Sequence, residues 1–219
     1  FALINLTGKE AGRVKAIDCG GVEVVADCLR VHRADKNVCH RGCWLLSNLA
    51  ISDVGEAKVT GCGGIEALID CLRAHRPDND VCHRACLALI NLTGKETGRV
   101  KAIDFGGIEV VADCLRVHRA DKNVCHRGCW LLSNLAVSDV GEAKAIGCGA
   151  VEALVDCLRV HRADNDVCHR GCFALINLTG KEAGRVKAID CGVVEVVVDC
   201  LRVHRLDKNV CHRGCWLLS

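Results

Sequence analysis

The dipeptide Asn-Leu returns at Asn5, Asn48, Asn91, Asn134 and Asn177, each 43 residues after the last, and the intervening text keeps the same period. A fixed period of this size constrains a fold more than any local propensity does. Each copy must be one supersecondary unit that buries its apolar face against its neighbours. A longer rhythm of 86 is superimposed: Asn5 to Ser47 differs from Asn91 to Ser133 only at Ala11/Thr97, Cys19/Phe105 and Val22/Ile108. Two repeat types therefore alternate. The expected units are 8–50, 51–93, 94–136, 137–179 and 180–219, the last truncated in its third helix, with 1–7 as the tail of a preceding third helix. Methionine is absent and both ends fall in the same phase, so the chain reads as a window cut from a longer array.

Each unit reads as three helices. The first opens on a capping-box pattern, Thr7-x-x-Glu10 in one type and Asp53-x-x-Glu56 in the other, and stops at Gly20, Gly63, Gly106, Gly149 or Gly192, where glycine most easily takes a left-handed turn. In the second helix, Val22, Val25, Cys28 and Leu29 share one face, leaving Glu23, Asp27 and Arg30 outside. A His-Arg-Ala-Asp linker, with Pro77 inside it in the second repeat, leads to the third and longest helix, about Asp35 to Leu49. There Val38, Cys39, Cys43, Leu46 and Leu49 face inward, and Gly42 allows close helix contact. The fold class is all-α.

Nineteen cysteines recur at apolar positions of these helices, which makes them buried thiols rather than a disulfide framework and points to the reducing cytosol or nucleus. The Cys-His-Arg-x-Cys motif at Cys39, His40 and Cys43 supplies only half of a four-ligand zinc site, with His40 turned about 100° from Cys39, so no metal or cofactor is expected. An active site would not be copied five times, and no phosphate loop or isolated Cys/His/Asp constellation occurs, so no enzyme is expected. No apolar run reaches the roughly 20 residues of a membrane span. A net charge of +2 without interleaved aromatic side chains argues against a nucleic-acid partner. Asn5-Leu6-Thr7 fits a glycosylation sequon but lies at a helix end in a thiol-rich chain.

At the third helix, Trp44-Leu-Leu-Ser-Asn48-Leu-Ala and its copy at Trp130 resemble the Trp-x-x-x-Asn signature of the armadillo repeat, and Gly63-Gly-Ile-Glu-Ala-Leu-Ile is similar to that family's turn and second helix. The resemblance covers the whole chain; the two-helix HEAT repeat is the competing form. It implies a right-handed superhelical solenoid of the importin alpha and beta-catenin type, with third helices lining a concave groove. In that family the asparagines clamp an extended peptide and the tryptophans wall its side chains. The implied ladder here is Asn5, Asn48, Asn91, Asn134 and Asn177. A side-chain amide can both donate to and accept from a peptide unit. With helices about 8–10 Å apart and about 3.3 Å per extended residue, five repeats would hold roughly ten residues. The aromatic wall consists of Trp44, Trp130 and Trp216, with Leu87 and Phe173 in the alternate repeats.

Three residues before each of these positions stands Arg41, Arg84, Arg127, Arg170 or Arg213, where armadillo proteins that bind basic peptides often place acids. Guanidinium groups pair bidentately with carboxylate or phosphate, so the expected ligand is an acidic or phosphorylated peptide, with Asp80 and Asp166 partly offsetting the charge. Alternatives stay open. The amides could instead tie each third helix to the next repeat's first turn, and the arginines could be solvated residues paired with nearby acids. The chain could also be an assembly element stacking end to end, or an engineered consensus array without a native ligand.

Overall fold

A computed structural model describes the backbone of residues 2–219 and the side chains of residues 5–219; Phe1, expected in the tail of a third helix, lies outside the described residues. The described residues form sixteen α-helices and no strand. After α1 (Ala2–Thr7), helices follow in threes. The first helices are α2 (Glu10–Asp18), α5 (Asp53–Gly61), α8 (Glu96–Asp104), α11 (Asp139–Gly147) and α14 (Glu182–Asp190). The second are α3 (Gly21–Val31), α6 (Gly64–Ala74), α9 (Gly107–Val117), α12 (Ala150–Val160) and α15 (Val193–Val203). The third are α4 (Lys36–Leu49), α7 (Asn79–Leu92), α10 (Lys122–Leu135), α13 (Asn165–Leu178) and α16 (Lys208–Leu218). The chain divides into two compact units, Phe1–Val110 and Val111–Ser219, with the boundary inside α9.

Local chemistry sets these bounds. The turn from first to second helix passes through Gly20, Gly63, Gly106, Gly149 or Gly192 at φ of 74–79°, the left-handed region that a Cβ disfavours. Every third helix starts on an aspartate: Asp35, Asp78 and Asp164 accept from the amides of Val38, Val81 and Val167, and Asp121 and Asp207 do the same for Val124 and Val210. The first-helix caps differ from the sequence expectation. Ser52 and Ser138, not Asp53, cap α5 and α11, accepting from Gly55 and Gly141. In the other type the N-caps are Lys9, Lys95 and Lys181, without a side-chain cap bond. The threonines are spent elsewhere: the hydroxyls of Thr93 and Thr179 donate to Leu89 and Leu175 carbonyls one turn back.

The core runs along the repeats. Leu29, Leu46, Leu49, Ile65, Leu68 and Leu72 are fully buried in the first unit, as are Leu131, Leu132, Leu154 and Leu158 in the second. First helices cross the end of the preceding third helix at backbone contact: a Cβ on Gly55 would lie 1.9 Å from the Leu49 carbonyl oxygen, and one on Gly98 1.8 Å from that of Leu92. Long side chains then lace repeat to repeat. Arg30, Arg73 and Arg116 donate to the carbonyls of Cys62, Phe105 and Cys148 at the ends of the next first helices. Lys58 and Lys101 reach back to the Ile17 and Thr60 carbonyls at 3.1 and 2.7 Å. His75 and His161 meet the Arg33 and Arg119 carbonyls, each at 2.9 Å.

No disulfide forms among the described residues, and all nineteen cysteines are thiols. They meet across repeats: Cys39 and Cys71 at 3.4 Å, Cys125 and Cys157 at 3.3 Å, Cys168 and Cys200 at 3.4 Å, far beyond the ~2.05 Å of a bond. Burial, with the Cys71 thiol beside it, pushes Cys39 up to about 12. Cys28 departs from expectation. Cys71, Cys157 and Cys200 are buried because a preceding third helix covers them, whereas Cys28, at the same position of the first repeat, is exposed.

Candidate functional site

Within each unit the third helices lie side by side, and α4 with α7, α10 with α13 and α13 with α16 pack together more extensively than any other elements. Their register is set at the N-terminal ends. Lys36 pairs with the Asp78 cap at 2.5 Å and Lys122 with the Asp164 cap at 3.1 Å, while the Asn165 amide donates to Asp207 at 3.1 Å. Aligned in this way, equivalent positions on neighbouring third helices become lateral neighbours.

The half-buried aromatic residues are not bare walls. The Arg84 guanidinium of α7 lies 3.9 Å from the Trp44 ring centroid on α4, Arg170 lies 3.6 Å from that of Trp130, and Arg213 lies 4.0 Å from that of Phe173. These are close cation–π stacks between adjacent repeats. Arg41 and Arg127, one turn before the tryptophans on their own helices, are more distant at 5.9 and 5.8 Å. His40 and His126 flank the same indoles with ring centroids at 6.2 and 6.1 Å. Trp216 is half exposed, and the guanidinium over it is that of Arg213 on its own helix at 5.4 Å. Leu87 takes the aromatic position on α7 and is half-buried.

The asparagine ladder is partly structural. Asn91 donates to the Ser47 carbonyl at 3.0 Å and Asn177 to the Ser133 carbonyl at 2.8 Å, bracing each third helix against the one before it. Asn48 donates to the Thr7 hydroxyl at 3.2 Å. The tie thus runs back to the preceding third helix, not forward to the next repeat's first turn. Each bond uses one N–H of an amide that carries a second N–H and a carbonyl oxygen. Asn48, Asn91, Asn134 and Asn177 are half-buried and Asn5, on α1, is exposed.

Positive charge concentrates on this face in the second unit. Burial holds the Arg170 pKa below its ordinary value, and Arg127 and Arg213 on the flanking helices add to the effect, while Asp166 opposes it. Burial and the adjacent Arg41 likewise depress His40, and burial with Arg127 depresses His126. Sequence reasoning placed arginines and aromatics on the same helices but did not pair them; the signal was their offset of 40 residues, Trp44 to Arg84 and Trp130 to Arg170, which puts them on adjacent repeats. Among the described residues no cluster of three or more His, Cys, Asp or Glu side chains could hold a metal ion, and no helix is long and apolar enough to cross a membrane.

No protein-family model and no curated sequence matches the chain. Solved structures do. Two engineered proteins from the Northeast Structural Genomics Consortium superpose at TM-score 0.84 over 99% of this chain, with 26% and 27% identity, covering 86% and 52% of their own lengths. A chain from a structure concerned with a phosphorylation switch in the interaction of cadherin with beta-catenin superposes at TM-score 0.65 with 16% identity, over 99% of this chain and 47% of that one. The chain is an all-α repeat protein similar in fold to these engineered proteins and to the helical-repeat chain of the cadherin and beta-catenin structure.

Proposed function

We propose that the chain is an armadillo-type right-handed superhelical solenoid acting as a non-catalytic protein-interaction scaffold, which holds an extended acidic or phosphorylated peptide across its third helices. The observation that carries this is Arg170, half-buried between the like charges of Arg127 and Arg213 on adjacent third helices. Clustered half-buried guanidiniums repel one another, and an anion relieves that repulsion while accepting paired N–H bonds. The asparagines keep amide capacity for the peptide backbone beyond their inter-repeat bonds. The fold likeness to a structure of beta-catenin with cadherin is compatible with a protein partner. The thiol-rich core suits the cytoplasm or nucleus.

Fluorescence anisotropy with ten-residue acidic, phosphorylated and basic peptides tests this reading. Acidic or phosphorylated peptides bind, affinity falls steeply with added salt, and Arg170→Ala with Arg213→Ala weakens binding by about tenfold or more. Failure of all three classes to bind, with Asn48→Ala and Asn134→Ala changing nothing, would remove the scaffold reading.

A further inference from the structure

An indole face holds one cation in close stacking, and in this chain a residue of the next repeat already takes that place. Arg84 stands 3.9 Å from the Trp44 centroid and Arg170 3.6 Å from that of Trp130, each well inside the ~6 Å reach of a cation–π contact. At Trp216 the guanidinium is 5.4 Å away. A ligand lysine or arginine that sought the same ring would have to displace a tethered guanidinium held at high local concentration. It would also meet the positive charge of Arg41, or of Arg127, near the same indole. An acidic side chain does not compete for the ring, and the Asp80 and Asp166 carboxylates nearby offset only part of the arginine charge it meets. It can meet the edge of the stacked guanidinium, whose N–H donors lie in the plane of the group while its face rests on the ring.

We propose that Arg84 and Arg170 are built-in occupants of the cation sites on Trp44 and Trp130, and that this self-occupation excludes basic ligands and sets the chain's preference for acidic ones. The proposal rests on the scaffold reading above and deepens it by assigning specificity to two stacked pairs. It makes the tryptophans supports for a charged reader, and not themselves the readers of the ligand.

The test uses the full chain, labelled octaglutamate and octalysine peptides, and thermal melting to verify folding. Wild type binds octaglutamate and not octalysine. Arg84→Ala with Arg170→Ala opens both indoles, so octaglutamate weakens at least tenfold and octalysine affinity rises at least tenfold. Arg33→Ala with Arg119→Ala, exposed linker positions, removes the same two charges without touching an indole and leaves octalysine unbound. Adding Trp44→Leu and Trp130→Leu to the arginine double variant abolishes the gain. In the native-arginine background the same two leucines weaken octaglutamate several-fold by removing the platform, which tests the idea even if the arginine variant melts. An equal octalysine gain in the linker control, or a gain that survives loss of both indoles, overturns the inference. Wild type binding octaglutamate, with an arginine double variant blind to octalysine, overturns it alone. Wild type binding neither peptide overturns the scaffold reading itself.

Discussion

The two repeat types place opposite charges at one structural position. In α5 and α11 it holds Glu56 or Glu142, both buried; in α2, α8 and α14 it holds Arg13, Arg99 or Arg185. The acid reaches forward. Glu142 accepts from the Lys181 amide at the start of α14 at 2.9 Å, and Glu56 pairs with the Lys95 ammonium at 2.9 Å. The arginine reaches back, Arg185 donating to the Thr179 and Gly180 carbonyls and Arg99 to those of Thr93 and Gly94. A single loop, Thr179 to Lys181, thus has its carbonyls served by one repeat type and its amide by the other, each with the charge a helix end prefers. This explains why the uncapped starts at Lys95 and Lys181 follow repeats that carry a buried glutamate. The difference teaches that near-copies are not interchangeable and that the side-chain ties repeat with the 86-residue period of the sequence.

Four substitutions probe how far the types differ. The largest effect falls where they agree: Gly55→Ala in one type and Gly98→Ala in the other each drive a Cβ into a backbone carbonyl and should cost about 3 kcal/mol or more by denaturant unfolding. A mild loss at either site would mean that the crossing is not shared. Next, Glu142→Ala leaves a part-buried loop amide without its carboxylate acceptor and should cost about 1–3 kcal/mol. Arg185→Ala, whose two carbonyl bonds are exposed, should cost about 0.5–1 kcal/mol, and equal losses would erase the forward and backward distinction.

The smallest effect is a pH dependence common to both types. His40, His126 and His169 are depressed chiefly by burial and next by the arginine beside each, Arg41, Arg127 and Arg170. Their unfolded forms bind protons more readily. Stability is therefore complete above the ordinary value of about 6.5 and lost as pH falls from there toward the depressed folded values. Carboxylates act in a separate window: Asp53, held down by its bond to Lys95, contributes above about 3.9 and loses that contribution below it. Melting temperature from pH 7 to 5 should decline in wild type and flatten in His40→Gln/His126→Gln/His169→Gln. An unchanged slope in the triple variant would show that these rings do not drive it.

Periodicity made the three-helix unit and the glycine turns legible, because those features depend on neighbours within a few residues. What depended on the adjacent repeat stayed hidden. Thr7-x-x-Glu10 looked like a cap, yet Thr7 is buried and α2 starts from Lys9. Cys28 carried the apolar phase of its helix but lacks the covering helix its later copies have. The asparagines had the signature of a peptide clamp, and the sequence could not show that Asn91 and Asn177 also hold Ser47 and Ser133. Nor could it show that arginine and indole, each singled out for a ligand, are first of all each other's partners.

The lacing bonds share one further property: the arginine, lysine, histidine and asparagine ties join residues 32 to 44 positions apart. Closing such a loop costs chain entropy that grows only with the logarithm of its length, and here that length never exceeds about one repeat. Adding repeats therefore multiplies the ties without lengthening any of them. Order can spread from whichever neighbour forms first, at a cost per step that is the same for a short array as for a long one.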